Sequence, residues 1–362
     1  MTANVIVVGG GYGGIAVAKA LDDVADVTLV EPRETFVHNV AALRATVDPD
    51  WTDKIFIEFN GLLTRGRVLR DRATRVAASE VELASGTRLP ADYVVLATGS
   101  SGPFPAKIDI PGRDAAAARL AEARDALQRS SRVLLLGAGA IGLEFAGEIK
   151  AAWPEKAVTV IDRGDDILGG RFPEDFRADL RKQLDALGVR LLLGTSLRAQ
   201  PEPEPASLRP FTVTTTEGDV LAADLWFPCF GGAVRTDYLD PALAAARQPD
   251  GRLAVTPHLR LAGQTTVFAV GDVTAVPELK QARAAGEHAA VVAANIRTLI
   301  EGGTVSDEYR AAPDAMLLPL GPAGGAGYAP EWGLVGAEAT AQFKGTFFLE
   351  NYRELLGATV PA

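Results

Sequence analysis

The sequence predicts an α/β protein with two dinucleotide-binding domains and a small C-terminal α+β segment. Three observations predict it. The apolar run Val5–Val8 turns on glycines spaced GxGxxG, at Gly9, Gly11 and Gly14, into a helical pattern. The same pattern returns after Val133–Leu136, at Gly137, Gly139 and Gly142. Each copy is followed by an acid closing the next apolar run: Glu31, 17 residues past Gly14, and Asp162, 20 residues past Gly142. In such a turn the first glycine permits the tight bend and the second admits a pyrophosphate. The third lets helix and strand pack closely, so that the helix N-terminus faces the phosphates. One GxGxxG is weak, because glycine turns also serve packing; two in register with their acids are far more specific.

Length and composition narrow the class. A chain of 362 residues exceeds a single core, and 48% apolar with 23% charged residues describes an ordinary globular protein. The formal charge of -10 speaks against a nucleic-acid partner, for which a basic stripe is expected. Cys229 is the only cysteine, which excludes an intramolecular disulfide, and with three scattered histidines no metal site is expected. The chain enters a strand almost at once, contains no apolar segment long enough to span a bilayer, and has Thr2 where myristoylation needs glycine. A cytoplasmic protein is the expectation.

Taken in order, Phe36–Arg44 reads as a loop leading into a helix near Asn39, a suitable N-cap. Arg67–Leu89 reads as an antiparallel excursion, and Asp92–Gly99 as a buried strand delivering Thr98 and Gly99 to its carboxyl end. Pro103–Gly112 marks a crossover. Helices are expected over Asp114–Arg129, over Pro173–Leu187 with Gly188 as the stop, and over Lys280–Ile300. Gln200–Pro205 reads as a surface loop, Phe211–Leu225 as a hairpin, and Thr266–Asp272 as a further buried strand ending in a carboxylate. This divides the chain into a first domain of residues 1–112 plus 233–306, a second of 113–232, and a C-terminal segment 307–362 near the cofactor and acceptor site. Within that segment a Gly/Pro-rich β-like section precedes Ala339–Leu356.

Ala97-Thr-Gly99 and Val270-Gly-Asp272, in this order beside the two glycine motifs, resemble the pyridine nucleotide-disulfide oxidoreductase superfamily over nearly the whole chain. That resemblance implies two Rossmann-like domains in a glutathione-reductase-like arrangement, the first holding FAD and the second NADH or NADPH. It places Gly9, Gly11, Tyr12, Gly13, Gly14, Glu31, Arg33, Asn39, Arg44, Ala77, Thr98, Gly99, Asp272, Gln281 and Ala282 at FAD. It places Gly137, Gly139, Ala140, Ile141, Gly142, Glu144, Asp162 and Arg163 at the nicotinamide nucleotide. Asp272 would reach the flavin's ribityl chain, although a strand-end cap is the plainer role. The helix starting near Gln281 would offer its positive end to the flavin. Glu144 would orient the nicotinamide carboxamide, or merely complement the helix dipole. Asp162 favours NADH because it would repel a 2'-phosphate, while the adjacent Arg163 could reverse that.

The superfamily's disulfide reductases carry two cysteines where this chain has Asn39-Val-Ala-Ala-Leu-Arg44, so no dithiol relay is available. A narrower resemblance rests on His38–Val47, Leu96–Pro105 and Gly147-Glu-Ile-Lys150, which match the ferroptosis suppressor and apoptosis-inducing-factor-like family. It implies an NAD(P)H:quinone oxidoreductase acting on ubiquinone-like or menaquinone-like acceptors. Reduction of a ferredoxin or rubredoxin, and an NADH-responsive interaction role, remain the alternatives. By the same resemblance Lys344 falls where the family places a lysine beside flavin and quinone; a solvated surface lysine is the alternative. His38 is a candidate proton donor or a packed residue. On a helix or a strand-helix unit over Ala339–Leu356, Phe343, Phe347, Phe348, Leu349, Tyr352, Leu355 and Leu356 supply enough apolar surface for burial, a homodimer, or peripheral membrane contact.

Overall fold

The helices are α1 (Tyr12–Leu21), α2 (Ala42–Val47), α3 (Arg113–Arg129), α4 (Ala140–Ala152), α5 (Glu174–Ala186), α6 (Pro241–Ala244), α7 (Ala282–Ile300), α8 (Ala337–Lys344) and α9 (Leu349–Leu355). They belong to a computed structural model that describes residues 2–358, so residues 359–362 of the expected C-terminal segment lie outside the described residues.

Asn4–Val8 is apolar on both faces, which suits the centre of a parallel sheet covered on both sides. It occupies that place in a five-stranded sheet ordered Val267–Ala269, Tyr93–Leu96, Asn4–Val8, Asp26–Val30 and Arg67–Leu69. All pairings are parallel, with Val5 level with Val27 on one side and Tyr93 on the other. Strand carboxyl ends therefore coincide, and Gly9, Glu31, Thr98 and Asp272 gather along one edge. Val5 and Val7 point into a core completed by Ile15, Val17 and Leu21 of α1 and Val292 and Ile296 of α7. Ile6 and Val8 face Val76, Val81 and Leu89, which come from the antiparallel strands Ala73–Val76, Glu80–Leu83 and Arg88–Pro90.

The second glycine pattern opens a four-stranded parallel sheet ordered Val189–Leu192, Ala157–Ile161, Arg132–Leu136 and Leu225–Pro228. Its inner face packs on α3, α4 and α5. Phe176, Leu180 and Leu184 form the fully buried stripe of α5 at helical spacing, and the helix stops before Gly188, whose φ is +73°. The other face buries Leu134, Ile161 and Trp226 beneath the hairpin Phe211–Thr214/Val220–Ala223.

After α7 the chain forms a three-stranded antiparallel sheet, Met316–Leu320, Gly324–Ala329 and Gly333–Val335. Leu318, Leu320 and Ala326 join the core beneath α4 and α5. Gly147 of α4 makes this seat possible, because a Cβ there would come within 2.5 Å of Leu320 Cα. Helix α9 returns to the first sheet, burying Leu349 and Leu356 beside α1.

Four expectations are corrected. Asn39 is not a helix N-cap: it opens a 3-10 turn, and its Oδ1 accepts from Ile108 N–H at 3.0 Å, tying the crossover down. Arg67–Leu69 is the parallel edge strand, so the antiparallel excursion starts at Ala73; β propensity reports an extended chain and not its partner. The proline loop is only partly solvated, since Pro201 and Pro203 are buried and Pro203 C=O accepts from Trp226 Nε1–H at 2.7 Å. Ala339–Leu356 is neither one helix nor a strand-helix unit. It breaks between α8 and α9, where Phe347 and Phe348 take φ of +52° and +58°.

The glycine turn itself sets a test. A Cβ on Gly14 would overlap the Gly9 carbonyl oxygen, in a turn where Gly9 already holds φ +105°. Gly14→Ala is expected to lower unfolding stability by about 1–3 kcal/mol or more and to reduce bound flavin, read by urea unfolding and by the flavin-to-protein absorbance ratio.

Candidate active site

Both glycine turns leave their helix N-termini open. Gly11 and Gly139 are the N-caps of α1 and α4, neither end has a side-chain cap, and a Cβ on either glycine would meet nothing within 4 Å. Bare N–H groups beside empty space are what a pyrophosphate requires. Gly137 repeats the geometry of Gly9 with φ +117°. Gly13 serves packing instead, since its absent Cβ would stand 2.9 Å from Val270 Cγ2. Ala140 and Ile141 form the first turn of α4, with Ile141 packed on the second core.

The two acids differ in how they are held. Glu31 Oε2 accepts from Gly10 N–H at 2.6 Å, while Oε1 accepts from Arg33 N–H and Nε–H, both at 2.9 Å. Burial pushes the Glu31 carboxyl up, and Arg33 and the two backbone donors more than reverse this, holding it below its ordinary value. Asp162 Oδ2 accepts from Ala138 N–H at 2.7 Å and Oδ1 from Gly164 N–H at 2.8 Å, so backbone donors alone aim it at the second turn. Arg163 is exposed beside it.

At the carboxyl edge of the first sheet, Asp272 Oδ2 accepts from Ser100 Oγ–H at 2.6 Å and lies 3.5 Å from Lys107 Nζ. Thr98 Oγ1 meets Tyr238 Oη at 2.8 Å, and Tyr238 C=O accepts from Val76 N–H beside Ala77, so Thr98 and Ala77 are linked through one tyrosine. Gly99 takes φ +62°. Gln281 stands at the N-cap of α7 but sends its amide to Ala315 C=O at 2.9 Å, leaving the helix N-terminus at Ala282 without a side-chain cap.

Where the two sheets and the C-terminal segment meet, α4 presents two carboxylates one turn apart, Glu144 and Glu148. Glu148 forms a buried two-pronged pair with Arg44 of α2, at 2.5 and 2.8 Å. Arg44 therefore directs its guanidinium to α4, and it also lies against Phe347, 5.1 Å from the ring centroid. Lys344 Nζ donates to Leu317 C=O at 2.9 Å and lies 3.5 Å from Glu144 Oε2. At 14% side-chain exposure, Lys344 is not a solvated surface lysine. Burial raises the Glu144 carboxyl above its ordinary value, with Lys344 opposing. Structure thus joins two expected residues, 200 apart in sequence, that nothing in the sequence paired.

His38 proves to be packed. It is fully buried. Its Nε2 faces Phe347 C=O at 2.9 Å and must donate, so Nδ1 of the neutral ring accepts from Tyr12 Oη–H at 3.3 Å, while Tyr12 Oη accepts from Val40 N–H. Tyr12, Phe36 and Tyr352 surround the ring. Burial pulls the imidazole down to about 4, so it stays neutral near neutral pH. Among the tail aromatics, Phe347 is buried, whereas Phe343 and Phe348 are exposed.

Ser100, Lys107, Tyr238 and Glu148 escaped the sequence reading. Glu148 could have been found, standing one helical turn from Glu144; the others carry no local signature.

Comparison with known proteins agrees with this geometry. A profile of the family described as pyridine nucleotide-disulphide oxidoreductase matches residues 3–289. The chain belongs to that family. It is 31% identical to ferroptosis suppressor protein 1 of Xenopus laevis over 99% of this chain and 97% of that one. The human protein of the same name is 32% identical over 90% and 88%. Apoptosis-inducing factor homolog B of Dictyostelium discoideum is 28% identical over 99% and 98%. In fold, it is similar to the sulfide:quinone oxidoreductase of Aquifex aeolicus, with a TM-score of 0.77 and 17% identity over 98% of this chain and 91% of that one. NDH2 of Plasmodium falciparum in complex with NADH gives 0.75 and 14% over 98% and 95%. The protein is an FAD-dependent NAD(P)H oxidoreductase, and the open glycine cradles with their acids fit both nucleotides. Among the described residues no helix is long and apolar enough to cross a membrane.

Two outcomes test this account. Arg44→Met strands Glu148 in the interior and is expected to cost about 3–5 kcal/mol in urea unfolding, most of which the double variant with Glu148→Met recovers. His38 is protonated in the unfolded chain below its ordinary value of 6.5 but resists protonation in the fold until about 4. Its contribution is complete above pH 6.5 and lost as pH falls toward 4. His38→Asn should therefore flatten the acid limb of the stability–pH curve by one proton's slope.

Proposed function

We propose that this oxidoreductase passes electrons from NADH to a ubiquinone-like or menaquinone-like quinone. The observation that carries the reading is the Lys344–Glu144 pair at the seam, in a chain that lacks a dithiol. Cys229 is the only cysteine, and burial pushes its thiol up to about 12, which leaves it unreactive. Electrons must therefore pass to a diffusing acceptor without a protein relay. Bound FAD would supply that chemistry, taking a hydride from the nicotinamide and delivering two electrons onward.

The chain's own residues bind and orient. Glu31, the α1 N-terminus, Thr98 and Asp272 would hold FAD along the carboxyl edge of the first sheet. The α4 N-terminus and Asp162 would hold NADH, and a 2'-phosphate would meet the Asp162 carboxylate. Glu144, in the second turn of α4, would accept from the nicotinamide amide and fix its approach, and much of the rate gain is such positioning. One Lys344 N–H is committed to Leu317 C=O and a second points to Glu144 at the long distance of 3.5 Å. The third is available to a quinone oxygen as negative charge builds there. A quinone becomes a quinol on gaining two electrons and two protons; the hydride carries the electrons with one proton, and solvent supplies the other. His38, with both nitrogens engaged, has no part in that transfer.

Support also comes from relatives named for ferroptosis suppression and from the fold likeness to a sulfide:quinone oxidoreductase. Trp332, Leu334, Phe343 and Phe348 remain exposed on the C-terminal segment and would serve contact with a lipid surface, where quinones reside, or with a second copy of the chain.

The deciding experiment reduces the enzyme anaerobically with NADH or NADPH, then mixes it with a short-chain ubiquinone, a naphthoquinone, ferredoxin or oxygen. NADH should bleach the flavin band faster than NADPH, and a quinone should restore it fastest; faster restoration by ferredoxin or oxygen overturns the reading. Lys344→Met should slow restoration by quinone roughly 100-fold, the worth of one donor to a developing oxyanion, with FAD content unchanged.

A further inference from the structure

Behind the turn that carries Asp272 lies a chain of titratable side chains that the proposed reaction does not use. Gly271, at φ +74°, donates its N–H to His288 Nδ1 at 3.0 Å. That acceptor role leaves the ring proton on Nε2, which lies 2.9 Å from Glu278 Oε1. Both atoms are buried and neither makes a hydrogen bond among the described residues, so ring and carboxylate meet here by close approach alone. Glu278 Oε2 accepts from Tyr309 Oη–H at 2.5 Å, and the Tyr309 and His288 rings meet edge to face with centroids 4.2 Å apart. His288 is fully buried and the Glu278 side chain is 5% exposed.

Placing a carboxylate and an imidazole in the core is unfavourable compared with apolar side chains of similar volume. What the arrangement delivers is placement. It ties together the strand-end turn of Gly271, the loop before α7 at Glu278, the second turn of α7 at His288, and the connector to the C-terminal sheet at Tyr309. Asp272 directly follows the first tie, and the uncapped α7 N-terminus at Gln281–Ala282 lies between the second and third. The charged neighbours hold their own partners: Lys280 Nζ donates to Val276 C=O at 2.9 Å, and Arg283 pairs with Glu287 at 2.6 Å.

We propose that His288 is a positioning residue for the flavin: by accepting from Gly271 N–H while its Nε2 edge packs against the Glu278 carboxylate, it sets the spacing between the Asp272 carboxylate and the positive end of α7. Asp272 would hold FAD in the reading above, on which this inference rests, and the α7 end is where the family resemblance places the flavin. Their spacing controls how much negative charge the site tolerates on the flavin, and hence how readily it accepts electrons.

The two ring nitrogens can be tested separately in the FAD-loaded full chain. His288→Asn keeps an acceptor near the Nδ1 position, and His288→Gln keeps a donor near Nε2. Each variant is reduced with dithionite against indicator dyes, without NADH or quinone, and its FAD release and melting temperature are measured. His288→Gln should shift the flavin midpoint potential and speed FAD release roughly fivefold to tenfold, the worth of one buried hydrogen bond, with His288→Asn close to the parent. Tyr309→Phe, which deletes one hydroxyl from a partly buried ring, should move both readouts in the same direction by less, and it keeps the test open if His288→Gln fails to fold. Lower melting temperatures with parental potential and FAD release in the folded variants would overturn the proposal, as would equal shifts for Asn and Gln. Asp272→Asn in the same titration separates the premises: if it leaves potential and FAD release unchanged, the reading of Asp272 fails, whatever the His288 variants do.

Discussion

The buried charges on one face of α4 hold the molecule's parts to one another. Glu144 and Glu148 are brought out of water one helical turn apart, and two uncompensated carboxylates there would cost several kcal/mol each. Arg44 arrives from the first unit and Lys344 from the C-terminal segment, so charge balance at a single point requires all three parts to be in place. The pairs are unequal. Arg44 and Glu148 make a two-pronged contact that is sealed from solvent, whereas Lys344 and Glu144 stand farther apart at the rim. A sealed, two-pronged pair and a looser one thus stand one turn apart on the same helix.

The two glycine turns are close geometric copies, down to the positive φ of their first glycine and the empty space at their second. Their acids are not copies. Glu31 is paired with Arg33, while Asp162 is held by backbone N–H groups, with no cationic partner among the described residues. Both buried histidines follow a third logic. Each accepts from one neighbour through Nδ1, while Nε2 donates to Phe347 C=O in His38 and lies close to Glu278 in His288; burial holds both down to about 4, so both rings stay neutral.

The break between α8 and α9 shows how the C-terminal segment is kept in register. Two consecutive phenylalanines hold left-handed backbone conformations, at a cost on the order of 1–3 kcal/mol each. His38 holds the Phe347 carbonyl, Trp51 and Arg44 hold its ring, and Lys344 lies one turn upstream. The strain is maintained by partners from separate parts of the chain, and it directs α8 to the seam and α9 to the first sheet.

Local pattern was enough for much of this. Both glycine turns, their acids, the parallel core strands and the starts and stops of α3, α5 and α7 were legible, because each follows from a spacing within some thirty residues or fewer. The family and its cofactors followed from those elements. What sequence left undecided or misread concerned residues far apart in the chain. Whether Lys344 met Glu144 or water, whether His38 was a proton donor or a packed ring, whether Asn39 capped a helix, and which sheet would take Arg67–Leu69 all depended on neighbours supplied by other elements. Spacing along the chain determines which way a side chain faces; only the assembled fold decides what it faces, and with that its charge state and its chemistry.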